Sequence, residues 1–148
     1  EIDFGKLLRQ TLADMDGEIQ KSPYKFKIDI PKEAVMVYAD GDRMYRVFQN
    51  LIGNALKYSL EGSRIYISLK TEKNAAVADI RNTSRSELKQ DVDFTARFTR
   101  GDESRTDGGS GLGLSIAKSF TEACGGIFEV ETMADLFTVK VSFELRQQ

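Results

Sequence analysis

Between residues 46 and 57, Arg46, Asn50, Gly53, Asn54 and Lys57 fall at i, i+4, i+7, i+8 and i+11, one stripe of a helix. Two carboxamides a turn apart offer neutral oxygen ligands to a hard cation, and Lys57, one turn further, reaches an anion beside it. That set suits Mg²⁺ bound to a phosphate chain. A merely solvated face is the plain alternative. Glu and Lys would serve such a face with a helix propensity better than that of Asn by roughly half a kcal/mol each. A second stretch, "RGDESRTDGGSGLGLSIAKS" (100–119), places glycines at 108, 109, 111 and 113 directly before a helical pattern. Backbone amides in such a loop approach a ligand closely, and the helix N-terminus adds roughly half a positive charge, so the pair suits phosphate. No Lys-Ser/Thr pair follows the glycines, which excludes a Walker loop. The spacing and the lack of an immediately preceding strand exclude a dinucleotide fingerprint. A flexible hinge is the alternative for a glycine-rich loop standing alone.

These groups need elements to hold them. Met44, Val47, Phe48, Leu51, Ile52, Ala55 and Leu56 repeat at the helical period opposite the polar stripe, and Asp40 or Asp42 is placed to cap that helix. Leu8, Leu12, Met15 and Ile19 predict one helix over the first 20 residues. "YKFKIDIP" (24–31) and "RIYISLK" (64–70) alternate as half-buried strands; "AVMVYA" (34–39), "AAVADIRN" (75–82), "IFEVET" and "LFTVKVSFELR" are further strands. "LSIAKSFTEAC" (114–124) is a helix stopped by Gly125 and Gly126. Residues 83–113 read as a long, partly mobile loop. The order predicts an α+β fold: a two-layer sandwich with one mixed, mostly antiparallel sheet under three helices, in a single domain over 1–148.

Composition removes other chemistries. The 148 residues are 41% apolar and 30% charged, with a formal charge of −2 that gives no reason to expect nucleic-acid binding. With no histidine, Ser-His-Asp and Cys-His catalysis and His-bearing zinc motifs are excluded. Cys124, the single cysteine, permits no internal disulfide and reads as a small hydrophobe on a helix. No apolar run reaches the ~18 residues of a membrane span. A first residue of Glu rather than Met suggests an excised domain.

"ADGDRMYRVFQNLIGNALKYS" followed by "RFTRGDESRTDGGSGLGLSIAKSFTEACGG" resembles the N-box and glycine-rich G2 box of sensor histidine kinases, in the wider group that includes gyrase, Hsp90 and MutL-type ATPases. The resemblance covers the catalytic and ATP-binding domain, of the Bergerat fold, and nothing else. It implies that Asn54 and Asn50 hold Mg²⁺, that Lys57 approaches the phosphates, and that Tyr58 lies near the base and sugar. It implies that Gly109, Gly111, Leu112 and Gly113 line the nucleotide, under an ATP lid around 83–113. "DFTARF" (93–98) is similar to the family's F-box, with Phe94 and Phe98 as anchors or as ordinary core aromatics. Among Arg97, Arg100 and Arg105, the cations nearest the glycine loop, Arg100 and Arg105 are the candidates to neutralise the transferring phosphoryl group.

The chain departs from the family at "IRNTSRSEL" (80–88), where an Asp-x-Gly-x-Gly box is usual. Asn82 takes the Asp position and Ser84 the first glycine. The usual Asp accepts from the adenine amino group; Asn82 accepts through its amide oxygen, without charge assistance. Asp79, three residues away, projects from the opposite strand face. The resemblance implies transfer of the ATP γ-phosphoryl group to a histidine on a separate, N-terminal dimerisation domain, and onward signalling to a response regulator. A regulatory or degenerate ATP-binding module is the second reading, and a serine-directed anti-sigma kinase the third. The resemblance also implies a monomeric piece on the cytoplasmic side, without direct membrane contact, in a parent anchored in the cell membrane.

Overall fold

The computed structural model describes residues 1–88 and 111–146. The chain runs β1 (Ile2–Asp3), α1 (Phe4–Asp14), α2 (Asp16–Lys21), β2 (Lys25–Asp29), β3 (Met36–Val37) and α3 (Gly41–Tyr58). It continues through β4 (Arg64–Glu72), β5 (Ala75–Thr83), α4 (Gly111–Ala123), β6 (Ile127–Met133) and β7 (Leu136–Glu144). Five strands form one sheet in the order β2-β4-β5-β7-β6, with β2 parallel to β4 and the other neighbours antiparallel. This is the α+β sandwich expected from the sequence, with a mixed and mostly antiparallel sheet.

Strand alternation sets which side of the sheet the helices cover. Ile65, Ile67 and Leu69 of β4, Ala76, Ala78 and Ile80 of β5, and Val139, Val141 and Phe143 of β7 are buried. The opposite side carries Tyr66, Asp79, Arg81, Lys140 and Glu131, with Lys140 paired to Glu131 at 3.2 Å. Three rings tie the layers together: Phe4 of α1 lies 5.2 Å from Phe48 of α3 and 5.5 Å, edge-on, from Phe143 of β7. Tyr45 of α3 donates to Asp14 Oδ2 at 2.5 Å; that bond and the carboxylate charge raise the phenol's pKa above its ordinary value.

Three expectations need correction. The first helix is two: α1 ends at Asp14 and α2 begins at Asp16, so four helical segments are present among the described residues instead of three. Asp14, Asp16 and Gly17 are poor helix formers clustered at the break, while Leu12 and Met15 keep their buried positions across it. The segment 34–39 supplies only Met36–Val37, paired with β1 in a separate two-stranded sheet; Asp3 caps α1 through Lys6 N and also accepts from Val35 N. Finally, Gly111–Gly113 are helical, as the first turn of α4, and Thr83 completes β5. The remainder of the expected lid, 89–110, lies outside the described residues.

Turn chemistry closes the hairpins. Lys73 and Asn74 both adopt positive φ, 48° and 64°, the two-residue turn that matches strand twist between β4 and β5. After α4, Gly125 takes φ 87° and Gly126 N returns to Thr121 O at 2.9 Å, a glycine-terminated helix end. A Cβ on Gly126 would sit 2.7 Å from the Phe143 ring and 2.9 Å from Ser142 O, and the backbone oxygen cannot move aside. Gly126→Ala is therefore expected to destabilise the domain by about 1–3 kcal/mol, read as a lowered midpoint in thermal or urea unfolding.

Candidate nucleotide site

Helix α3 begins at an Asp40 cap, which accepts from Asp42 N at 3.0 Å and Arg43 N at 3.2 Å. Its buried face is Met44, Val47, Phe48, Leu51, Ile52 and Ala55. On the other side Asn50, Gly53 and Asn54 are half-buried, and Arg46 and Lys57 are exposed. What partly covers the carboxamides is the first turn of α4. Asn50 Nδ2 lies 3.5 Å from Gly113 O, and a Cβ at Gly113 would come within 4.0 Å of Asn54 Nδ2. Further along, the Arg43 guanidinium lies 5.7 Å from the Phe120 ring centre, holding the two helices side by side.

Those carboxamides can be tested against a bound cation. Among the described residues no three His, Cys, Asp or Glu side chains cluster as a metal site. A cation here must draw on neutral protein oxygens and on the oxygens of its own ligand, which is how Mg²⁺ is held beside substrate phosphates. With its nitrogen toward Gly113 O, Asn50 keeps its carbonyl oxygen for such a role. Among the described residues, nothing beyond the helix's own backbone lies within 4 Å of a Cβ built at Gly53, which stands between the two asparagines.

The C-terminal end of α3 is fastened to the end of β5. Leu60 N donates to Thr83 O at 2.8 Å, Arg85 N to Tyr58 O at 3.0 Å, and Ser59 bridges Ser84. The Arg85 guanidinium sits 5.9 Å from the centre of the Tyr58 ring. Asn82, 5% exposed, turns to the helix side and donates from Nδ2 to Ser59 Oγ at 2.9 Å. Ser59 in turn donates to Ala55 O at 2.5 Å, and Tyr24 Oη donates to Ser59 O at 3.1 Å. Asp79 lies on the other face of the sheet, 3.8 Å from Arg81.

Asn50 and Asn54 thus lie against Gly113 at one position along α3, and Asn82 is bonded to Ser59, the residue after Tyr58, at a second, the helix's C-terminal end. At a rise of about 1.5 Å per residue, Ser59 lies roughly 7.5 Å along the helix from Asn54. Lys57 is exposed near that second end. Gly111 and Leu112 belong to the first turn of α4. Phe94, Arg97, Phe98, Arg100, Arg105 and Gly109 lie outside the described residues. Sequence reasoning missed Ser59 and Tyr24; the available signal was a serine following the helix that carries the stripe, at a position where its hydroxyl could cap.

A helix-faced sheet with a carboxamide-bearing helix opposite a glycine-led helix N-terminus defines a nucleotide-binding domain. Residues 39–147 match the model of the histidine kinase-, DNA gyrase B- and HSP90-like ATPases, and the chain belongs to that family, in its sensor-histidine-kinase branch. It is 36% identical over 136 residues to the sensor histidine kinase YcbM of Bacillus subtilis, covering 89% of this chain and 43% of that one. To the sensor histidine kinase WalK of the same organism it is 36% identical over 107 residues, 69% of this chain and 18% of the relative. The chain therefore spans less than half the length of these curated relatives. The fold matches the catalytic domain of histidine kinase ThkA with a TM-score of 0.83, over 97% of this chain and 93% of that one at 22% identity.

Gly53 is a mid-helix glycine that no atom of the other described residues requires. Gly53→Ala is expected to stabilise the ligand-free domain by about 0.5–1 kcal/mol, read as a raised thermal midpoint.

Proposed function

We propose that this chain binds Mg-ATP beside the carboxamide face of α3 and the first turn of α4 and delivers the γ-phosphoryl group to a histidine on a separate dimerisation domain. The observation that carries the reading is the meeting of Asn50 and Asn54 with the first turn of α4 at Gly113. A carboxamide pair and a helix N-terminus there face one position, which favours a phosphate chain and its cation together. The fold of ShkA, solved full-length in complex with AMPPNP, matches with a TM-score of 0.79 over 99% of this chain and supports the same use.

Phosphoryl transfer asks for positioning and charge neutralisation more than for covalent chemistry from the protein. Asn54 and Asn50 hold Mg²⁺ through their side-chain oxygens, and the ion, when bound, supplies neutralising charge at the phosphates. Lys57 reaches the phosphates from the last turn of α3. Gly111, Leu112 and Gly113 offer the first-turn amides of α4 to the same anion. Tyr58 flanks the base and sugar, and Asn82 accepts from the adenine amino group. Arg100 and Arg105, with Gly109, complete the proposed set from outside the described residues. The whole of 1–148 serves as one catalytic unit. Its acceptor domain belongs to a longer, membrane-anchored parent in which this unit faces the cytoplasm, and the response regulator is a separate partner of that full-length protein. The reading of a regulatory module is not favoured, since the curated relatives are sensor kinases.

Asn54→Ala is expected to lower Mg²⁺-dependent ATP affinity about 10- to 100-fold in calorimetric titration, with little change when the metal is withheld. The chain contains no histidine, so labelled ATP should leave no acid-labile phosphate on it alone. Label should appear on an added histidine-bearing dimerisation domain from a matched kinase. Strong labelling of the chain by itself would refute the proposal.

A further inference from the structure

We infer that Ser59 is the positioning residue that sets the polarity of Asn82, and so makes this site select a 6-amino purine over a 6-oxo purine. The inference rests on the nucleotide reading above and deepens it.

An aspartate has only acceptors to offer a base, and its two oxygens are equivalent. An asparagine is different: a half-turn about its last side-chain bond exchanges acceptor for donor. With its oxygen toward the base it takes the proton of an exocyclic amine; with its nitrogen there it donates to a carbonyl. A chain that carries Asn82 must therefore fix which way the amide faces, or lose discrimination.

Proton counting around Ser59 shows how it is fixed. The hydroxyl has one proton, directed to Ala55 O at 2.5 Å. Ser59 Oγ can then only accept from Asn82, and it does so from Nδ2 at 2.9 Å. Reversing the amide would set Asn82 Oδ1 against Oγ lone pairs at that distance, with no proton between them. Rotating the serine proton to rescue the pair would break the bond to Ala55. Both side chains are buried, Ser59 at 1% and Asn82 at 5% exposure, so the bond between them is shielded from water. The serine backbone is itself held, by Tyr24 Oη on Ser59 O and by Ser59 N on Ala55 O. The remaining acceptor, Asn82 Oδ1, is the group that a 6-amino purine satisfies and a 6-oxo purine repels. A site built around a directed hydrogen bond discriminates because the wrong partner leaves a buried polar group unpaired.

The test is calorimetric binding of Mg-ATP and Mg-GTP to the full chain and three variants. The wild type should prefer ATP. Ser59→Ala should shrink the ATP-to-GTP affinity ratio about fivefold, the worth of one neutral hydrogen bond, chiefly by admitting GTP. Ser59→Thr, which keeps the hydroxyl, should hold the wild-type ratio. Ser59→Ala combined with Asn82→Asp should recover the preference, since a carboxylate accepts whichever way it turns. An unchanged ratio in Ser59→Ala with both nucleotides still bound overturns the inference alone. Failure of the wild type to bind either nucleotide overturns the functional reading beneath it. In case Ser59→Ala does not fold, the wild type carries its own check by NMR: the Asn82 side-chain amide protons should exchange slowly and show contacts to Ser59. Exchange as fast as that of a surface asparagine would also overturn it.

Discussion

Burial of Met44, Val47, Phe48, Leu51, Ile52 and Ala55 fixes the roll of α3 about its own axis, and that roll decides what Asn50, Gly53 and Asn54 can meet. A helix turns about 100° per residue, so a rotation by one position would bury a carboxamide and expose a core side chain. Either change carries a penalty of several kcal/mol, from stranded polar groups on one side and lost apolar burial on the other. The core therefore acts as the alignment device for the site. The Phe4–Phe48–Phe143 cluster extends that constraint from α1 through α3 to the sheet.

The second constraint is at the far end of the same helix. Ser59 closes α3, receives Asn82 from the central strand, and bridges Ser84, while Leu60 and Arg85 add backbone bonds across the junction. Buried polar groups are costly unless each is satisfied, and here the donors and acceptors run in one direction, from Asn82 through Ser59 to Ala55. The contact of Asn50 and Asn54 with Gly113 and the junction of Ser59 with Asn82 are thus both referred to one helix. Precision of this kind favours catalysis by positioning.

Stability and use pull apart at Gly53. A glycine inside a helix costs about 1 kcal/mol relative to alanine, and here no atom among the other described residues comes close enough to justify it. Gly126, by contrast, is required by the protein itself, because the Phe143 ring and Ser142 O occupy the space of a side chain. The two glycines look alike in the sequence. Only their surroundings separate one that serves packing from one that leaves an opening.

Periodicity and motif spacing carried the fold class, the strand hairpins, the two-sided character of α3 and the opposite facing of Asn82 and Asp79 on β5, because each depends on local geometry that repeats every 3.6 or every two residues. Three features were decided only in three dimensions. The break at Met15 leaves the apolar pattern intact, so it is invisible to periodicity. The pairing of β3 with β1 rather than with the main sheet depends on where Asp3 can cap α1 and accept from Val35 at once. The bond between Ser59 and Asn82 joins residues 23 apart whose sequence neighbours give no sign of it. Local order follows from which residues are adjacent in the chain; hydrogen-bond polarity at a buried junction follows from which groups packing has shut away from water, and that is a property of the assembled layers alone.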